Sequence, residues 1–249
     1  MNSIAGGGTL LTFPALIALG VPPIVANATS TVALWPGALG SMWGYRGELQ
    51  GARTWAKGFA VPSLLGGATG AYLLLRTTEA RFAALVPWLV LGATFLFMVQ
   101  RPVMRRLRSR TVRVAGADTD PLSDDFAITN RWPSAAVIFY QFLVAIYGGY
   151  FGAGVGILML AVLGFMGLSN IHRMNGLKNW GGLCMNAVAA GMFSFSSLVN
   201  WPVALAMAVG AISGGYVGSR AAQRVPQELV RGAVVAIGLV SGVLLYFNR

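Results

Sequence analysis

Lys178 is the residue from which chemistry can be argued first. It stands in the apolar run that opens at Ile171, with Asn175 one turn before it, Asn179 beside it, and Gly182 and Asn186 further along. Residues three and four apart share a helix face, so these side chains form one polar stripe. Lys178 lies seven residues past Ile171, which is about 10 Å of helical rise. An ionisable side chain at that depth in an apolar segment is a functional-site candidate. An amine set among amides offers hydrogen-bond donors and one positive charge, which is chemistry for an anion. The competing reading is that the lysine stem merely snorkels to an interface. His172 and Arg173 sit at the mouth of the same helix, His172 as an entrance contact or proton acceptor and Arg173 as an interface anchor.

Ahead of this helix, Gly148, Gly149, Gly152, Gly154 and Gly156 lead into the short apolar run Ile157–Met166. A second cluster, Gly6, Gly7 and Gly8, leads into the equally short Thr9–Gly20. The two regions are copies: Gly6 aligns with Gly154, Gly8 with Gly156 and Asn27 with Asn175, while Ser30 and Thr31 fall opposite Lys178 and Asn179. A glycine break at mid-depth exposes a half-helix N-terminus, whose partial positive charge attracts anions. Interrupted helices at matching positions of two halves are where transporters build their binding sites. The candidate substrate-binding set is therefore Gly6, Gly7, Gly8, Asn27, Ser30, Thr31, Gly154, Gly156, Asn175, Lys178 and Asn179. Glycines that only permit tight packing are the bland alternative.

The acidic residues argue by their placement. All seven (Glu48, Glu79, Asp118, Asp120, Asp124, Asp125 and Glu228) fall in loops or at span ends. A cation or metal transporter needs carboxylate oxygens within the membrane, so no metal site is expected. With one His and one Cys, no nucleophile–base set or metal cluster for an intramembrane hydrolase can be assembled. The chain reads as a non-enzyme without a cofactor.

The elements that must position these residues follow from composition. The 249 residues are 56% hydrophobic and 10% charged, against about a quarter charged in soluble domains. Apolar segments of about 20 residues match the helical crossing of a bilayer. The period-2 alternation of a membrane barrel is missing from them. The expected fold is an all-α integral membrane protein of seven to eight transmembrane segments in two homologous halves, each with a glycine-broken helix. The halves are 1–100 and 132–249, joined by a linker, 101–131, that is arginine-rich and then acidic. The first half lacks the leading half-helix that Trp132–Tyr147 supplies to the second, so the natural chain is expected to begin upstream. Counting each broken helix as one crossing gives four crossings per half, an even number that makes parallel repeats. On that count Gly44–Lys57, the linker and Arg249 share a basic, cytoplasmic side. Arg76, Arg81, Arg173, Arg220 and Arg224 lie opposite. The net charge of +11 reads as topology-setting arginines that meet anionic lipid, with no nucleic acid as partner. Gly66 and Gly70, and Gly210, Gly214 and Gly218, read as helix-packing stripes; a homo-oligomer stays open.

The pieces IAGGGTLLTFPALIALGVPP, ANATST, GGYFGAGVGILML and IHRMNGLKN resemble the TauE/SafE family of sulfite-exporter-like bacterial permeases. The resemblance runs over nearly the whole chain. It implies an all-helical permease of two related halves in the cytoplasmic (inner) membrane, moving sulfite, sulfonates or other small organosulfur anions. Lys178 opposite Ser30 makes the site asymmetric. The leading expectation is a permease for a small anion, with the lipid bilayer as its surroundings. The alternative is a non-transporting membrane anchor or assembly subunit that works through the basic linker.

Overall fold

A computed structural model describes residues 8–50, 52–114, 131–166, 168, 170–222 and 227–247; all regular structure among them is helical. In chain order the helices are α1 (Gly8–Ala18), α2 (Pro23–Gly44), α3 (Arg46–Gln50), α4 (Arg53–Arg76) and α5 (Glu79–Val114). They continue with α6 (Ala135–Tyr150), α7 (Val155–Phe165), α8 (Ile171–Ser194), α9 (Trp201–Ala222) and α10 (Gln227–Phe247). Local chemistry sets several boundaries. Pro23 opens α2, where a missing N–H costs nothing. Gly20, at φ 79°, makes the α1–α2 turn. The Asn170 side chain caps α8 by accepting from the amides of His172 and Arg173. Two expected boundaries move. The polar Gly44–Lys57 stretch holds α3 and the first turn of α4, and α5 runs on into the expected linker, to Val114, because arginine is a good helix former. The acidic part of the linker lies outside the described residues.

Polarity is turned inside out relative to a soluble protein. Asn27, Thr29, Ser30, Ser63, Thr94, Gln141, Asn175 and Lys178 are buried, while Leu65, Trp88, Phe95, Phe139, Leu205, Val209 and Leu244 are exposed. A surface of large apolar side chains is what lipid demands. Among the described residues, Arg53–Arg76 and Glu79–Val99 are by themselves long and apolar enough to cross a membrane. The Asn, Ser, Thr and Lys residues of α2 and α8 lower the hydropathy of those helices, although they are as long.

Helix directions follow from contacts. The α4 glycines 58, 66 and 70 pack in turn on Pro133, Ala145 and Ile146, so α4 and α6 run the same way. A side chain at Gly66 would come within 2.6 Å of Ala145 Cβ; only glycine admits so close a helix. Trp180 meets Ala56 and Met185 meets Gly67, so α8 runs with α4 too. By contrast Trp88 meets Tyr246, Leu91 meets Gly242 and Thr94 meets Gly238. Helices α5 and α10 therefore run antiparallel.

The broken helix departs from expectation. If α7 continued the line of α6, Tyr140 and Leu158 would stand about 27 Å apart at 1.5 Å per residue. Instead the Tyr140 hydroxyl donates to the Leu158 carbonyl at 3.4 Å. Val137 at the start of α6 shares a core with Leu163 at the end of α7, and with Trp55 and Met174 at the starts of α4 and α8. The element is a hairpin: α6 goes in, the chain reverses at residues 151–154, and α7 comes back. Gly152 and Gly154, at φ 82° and 76°, make the reversal, in a region of backbone space that only glycine enters without strain. The element that was expected to make one crossing therefore enters and returns on the same side.

These directions define two faces. On one, face I, lie the end of α2, α3, the starts of α4, α6 and α8, and the ends of α5, α7 and α9. Face II holds the α1–α2, α4–α5 and α8–α9 turns. There Glu79 accepts from the Ile24 amide at 3.1 Å, and the Asn200 amide donates to Thr29 Oγ1 at 3.0 Å. Arg173, expected opposite the Gly44–Lys57 stretch, is on its side, as is the end of α9 that bears Arg220. Arg224 and Arg249 lie outside the described residues.

Candidate functional site

The hairpin tip and the start of α1 approach a cavity of about 90 Å³ between α2 and α8. From α1 comes Thr9, and from the hairpin Phe151, Gly152, Val155, Gly156 and Met159. From α8 come Lys178, Asn179, Gly182, Leu183 and Asn186, and from α2 come Thr31, Leu34, Trp35, Ala38 and Ser41. The α2 and α8 contributions correspond. In the register that pairs Asn27 with Asn175, Thr31 pairs with Asn179, Leu34 with Gly182, Trp35 with Leu183 and Ala38 with Asn186. All eight line the cavity.

The first turns of the two short helices both border this space, Thr9 in α1 and Val155–Gly156 in α7. Their amide dipoles make it favourable to negative charge. Lys178, 4% exposed, adds a cation. The hydroxyls of Thr9, Thr31 and Ser41 and the amides of Asn179 and Asn186 supply hydrogen bonds. Asn186 Nδ2 donates to the Gly182 carbonyl at 2.9 Å and Thr31 Oγ1 to that of Asn27 at 3.0 Å, which orients both side chains. Asn179 Nδ2 and Trp35 Nε1 are buried donors with no hydrogen-bond partner among the described residues. Leu34, Phe151, Val155, Met159 and Leu183 complete an apolar wall. The arrangement suits one small, singly charged, acceptor-rich ligand.

The candidate residues divide into lining and support. Thr31, Gly156, Lys178 and Asn179 line the cavity. Gly8 opens α1 beside Thr9. Gly154 caps α7 and packs toward Ala93 of α5. Asn27 Nδ2 donates to the Tyr150 carbonyl at 2.8 Å and so fastens the hairpin tip. Ser30 Oγ and Thr12 Oγ1 are 2.7 Å apart, which ties α1 to α2. Asn175 is buried one turn from Lys178, off the cavity wall, and Gly6 and Gly7 lie outside the described residues. His172 is exposed on face I, whereas Arg173, read as an interface anchor, is only 7% exposed. Sequence reasoning missed Trp35, Ser41, Phe151 and Met159. Trp35 was within reach, because it lies one turn beyond Thr31 on the same face of α2.

Comparison with known proteins places the chain in a family. The family model "Sulfite exporter TauE/SafE" matches residues 1–245. A "Probable membrane transporter protein" of Haemophilus influenzae is 26% identical over 258 residues, covering 100% of this chain and 90% of that one. "Probable membrane transporter protein ORF9" of Sinorhizobium sp is 27% identical, covering 98% of this chain and 87% of its own. "Probable membrane transporter protein YfcA" of Escherichia coli K12 is 27% identical, with 99% and 85% covered. No solved structure matches.

Proposed function

Given that this chain belongs to the sulfite exporter TauE/SafE family of membrane transporters, we propose that it carries a small oxyanion, of the sulfite or organosulfonate class, through the cavity between α2 and α8. The observation that carries this reading is convergence. Two half-helix N-termini, one buried lysine and a set of hydroxyl and amide groups border one space. Thr31, Gly156, Lys178 and Asn179 contact the anion in this scheme, while Gly8, Gly154, Asn27, Ser30 and Asn175 hold the elements that present them.

The architecture fits alternating access. We read the chain as two homologous halves in which α1, α2, α4 and α5 correspond to α7, α8, α9 and α10. Exchanging these labels turns packed pairs into packed pairs: α2 with α9 becomes α8 with α4, and α1 with α10 becomes α7 with α5, while α6, packed on α4, has no counterpart among the described residues. Because α5 and α10 are antiparallel, the repeats are inverted in the membrane rather than parallel. Inverted repeats around a midplane site are a recurrent transporter plan, in which one half rocks against the other. In this reading six helices, α2, α4, α5, α8, α9 and α10, run from face to face, beside the short α1 and the α6–α7 hairpin. Face I carries Arg46, Arg53, Lys57, Arg131 and the arginine-rich end of α5, against Arg76 and Arg81 on face II. Face I is therefore the cytoplasmic side of a multi-pass protein in the bacterial inner membrane.

The test is flux. Protein purified and reconstituted alone in proteoliposomes is screened with sulfite, methanesulfonate, acetate and chloride. Saturable sulfite or methanesulfonate flux is expected. No flux of any of them without a co-reconstituted partner would favour the membrane-anchor alternative.

A further inference from the structure

Trp35 is the cavity residue whose chemistry the transport reading leaves unused. Its Nε1 is buried with no hydrogen-bond partner among the described residues. An indole N–H can only donate, and a buried one normally finds an acceptor. Trp180 shows the ordinary arrangement, donating to the Ala56 carbonyl at 2.7 Å. What Trp35 lacks is therefore an acceptor; its Nε1 is closed off from the empty cavity, and an acceptor-rich anion seated there would reach it through a small turn of the indole. On the facing helix Asn179 Nδ2 is in the same condition. Donors from opposite walls call for a ligand with acceptor atoms on both sides. A trigonal or tetrahedral oxyanion has them. A monatomic halide has a single centre and no spread of acceptors. The position in α8 that corresponds to Trp35 holds Leu183, so this donor exists on one wall only and the ligand is held in one orientation.

We propose that Trp35 donates its indole N–H to the bound anion and thereby sets the site's preference for oxyanions over halides. This rests on the transport reading above. Lys178 supplies attraction for any anion of the right charge; Trp35 supplies direction. The indole body also closes the wall beside Ala38 and Leu34, which limits the ligand to a small one.

The test compares wild type with Trp35→Phe, which keeps an aromatic body and removes the donor. Competition by sulfite, methanesulfonate and chloride is measured in proteoliposomes. Affinity for the two oxyanions should fall about tenfold, the equivalent of one net hydrogen bond to a charged group, while chloride competition stays as it was. In parallel, wild-type protein labelled with 15N at the indole nitrogens is titrated in detergent. One of the seven tryptophan N–H signals should move with sulfite and methanesulfonate and stay put with chloride. That signal is identified by its loss in Trp35→Phe or, should that variant not fold, in Trp35→Tyr. Unchanged oxyanion affinity in Trp35→Phe would overturn the proposal, as would an equal loss for all three anions or a wild-type Trp35 signal indifferent to saturating oxyanion. If Lys178→Met abolishes oxyanion binding while Trp35→Phe is silent, only the role of Trp35 falls. If wild type binds neither oxyanion, the transport reading falls with it.

Discussion

Replacing Lys178 by methionine separates function from stability. Lys178 is 4% exposed and lines a cavity of about 90 Å³, so an anion held there lies within a few ångströms of it. Two unit charges about 4 Å apart at an effective dielectric of about 20 attract by about 4 kcal/mol. Stripping water from the anion offsets part of this, and hydrogen bonds to charged groups net about 1.5–3 kcal/mol. Lys178→Met should accordingly weaken anion affinity about ten- to hundredfold. Its effect on folding has the opposite sign, since a charged lysine deep in a membrane helix costs about 2.5–3.5 kcal/mol on insertion scales. Methionine keeps most of the volume and removes that cost, so the variant should unfold at the same temperature as wild type or a higher one. Lys178→Arg should retain part of the flux, because a planar fork replaces a compact ammonium without losing charge. The assay pairs sulfite and methanesulfonate flux in proteoliposomes, at matched protein, with thermal unfolding in detergent. A well-folded Lys178→Met protein with wild-type affinity and rate would refute the placement of the anion beside this residue.

Asn27→Ala and Asn179→Ala should part company, although their residue types are the same. Asn27 holds the Tyr150 carbonyl, so its loss should lower stability by about 1–2 kcal/mol, seen as a drop in unfolding temperature. Asn179→Ala should leave that temperature unchanged and weaken anion affinity several-fold. In α4, Gly70→Leu would drive a side chain into the backbone of Ile146 and Tyr150, costing about 1–3 kcal/mol or more. Gly92→Leu in α5, where nothing lies within 4 Å, should express and unfold as wild type does. With Cys184 replaced by alanine, cysteine at exposed Thr78 should react with membrane-impermeant thiol reagents in intact cells. Cysteine at exposed Arg131 should react only after the membrane is opened; the reverse pattern would invert the orientation.

The amino-acid order alone determined a good deal, for reasons that are local. Membrane character follows from composition, because about 20 apolar residues in a row have no better place than a bilayer. Helix ends at Pro23, Asn170 and Gly20 follow from backbone chemistry that acts within a few residues. The duplicated glycine clusters marked both short helices, and the spacing of Lys178 and Asn179 marked one wall of the cavity, because helical periodicity alone decides which residues share a face.

Direction in space was a different matter. Gly152 and Gly154 signal a break, yet whether the chain continues or doubles back depends on what packs beside it. Here the tip is fastened by Asn27 on Tyr150 and by Tyr147 on Ala153, and α7 is laid along α6 by Tyr140 and Met159. None of those pairings shows in a periodicity. That single reversal changes the parity of the crossings and so the relation between the α5 and α10 directions. It also moves Arg173 to the face of Arg46, Arg53 and the arginine-rich end of α5. The same holds for the split among the asparagines. Asn27 and Asn175 occupy matched positions next to the polar stripe, but only the packed structure hands the Tyr150 carbonyl to Asn27 and leaves the cavity wall to Thr31, Lys178 and Asn179. Trp35 completes the case: its place on the face of Thr31 is plain in the chain, whereas the missing partner of its N–H is a property of everything folded around it.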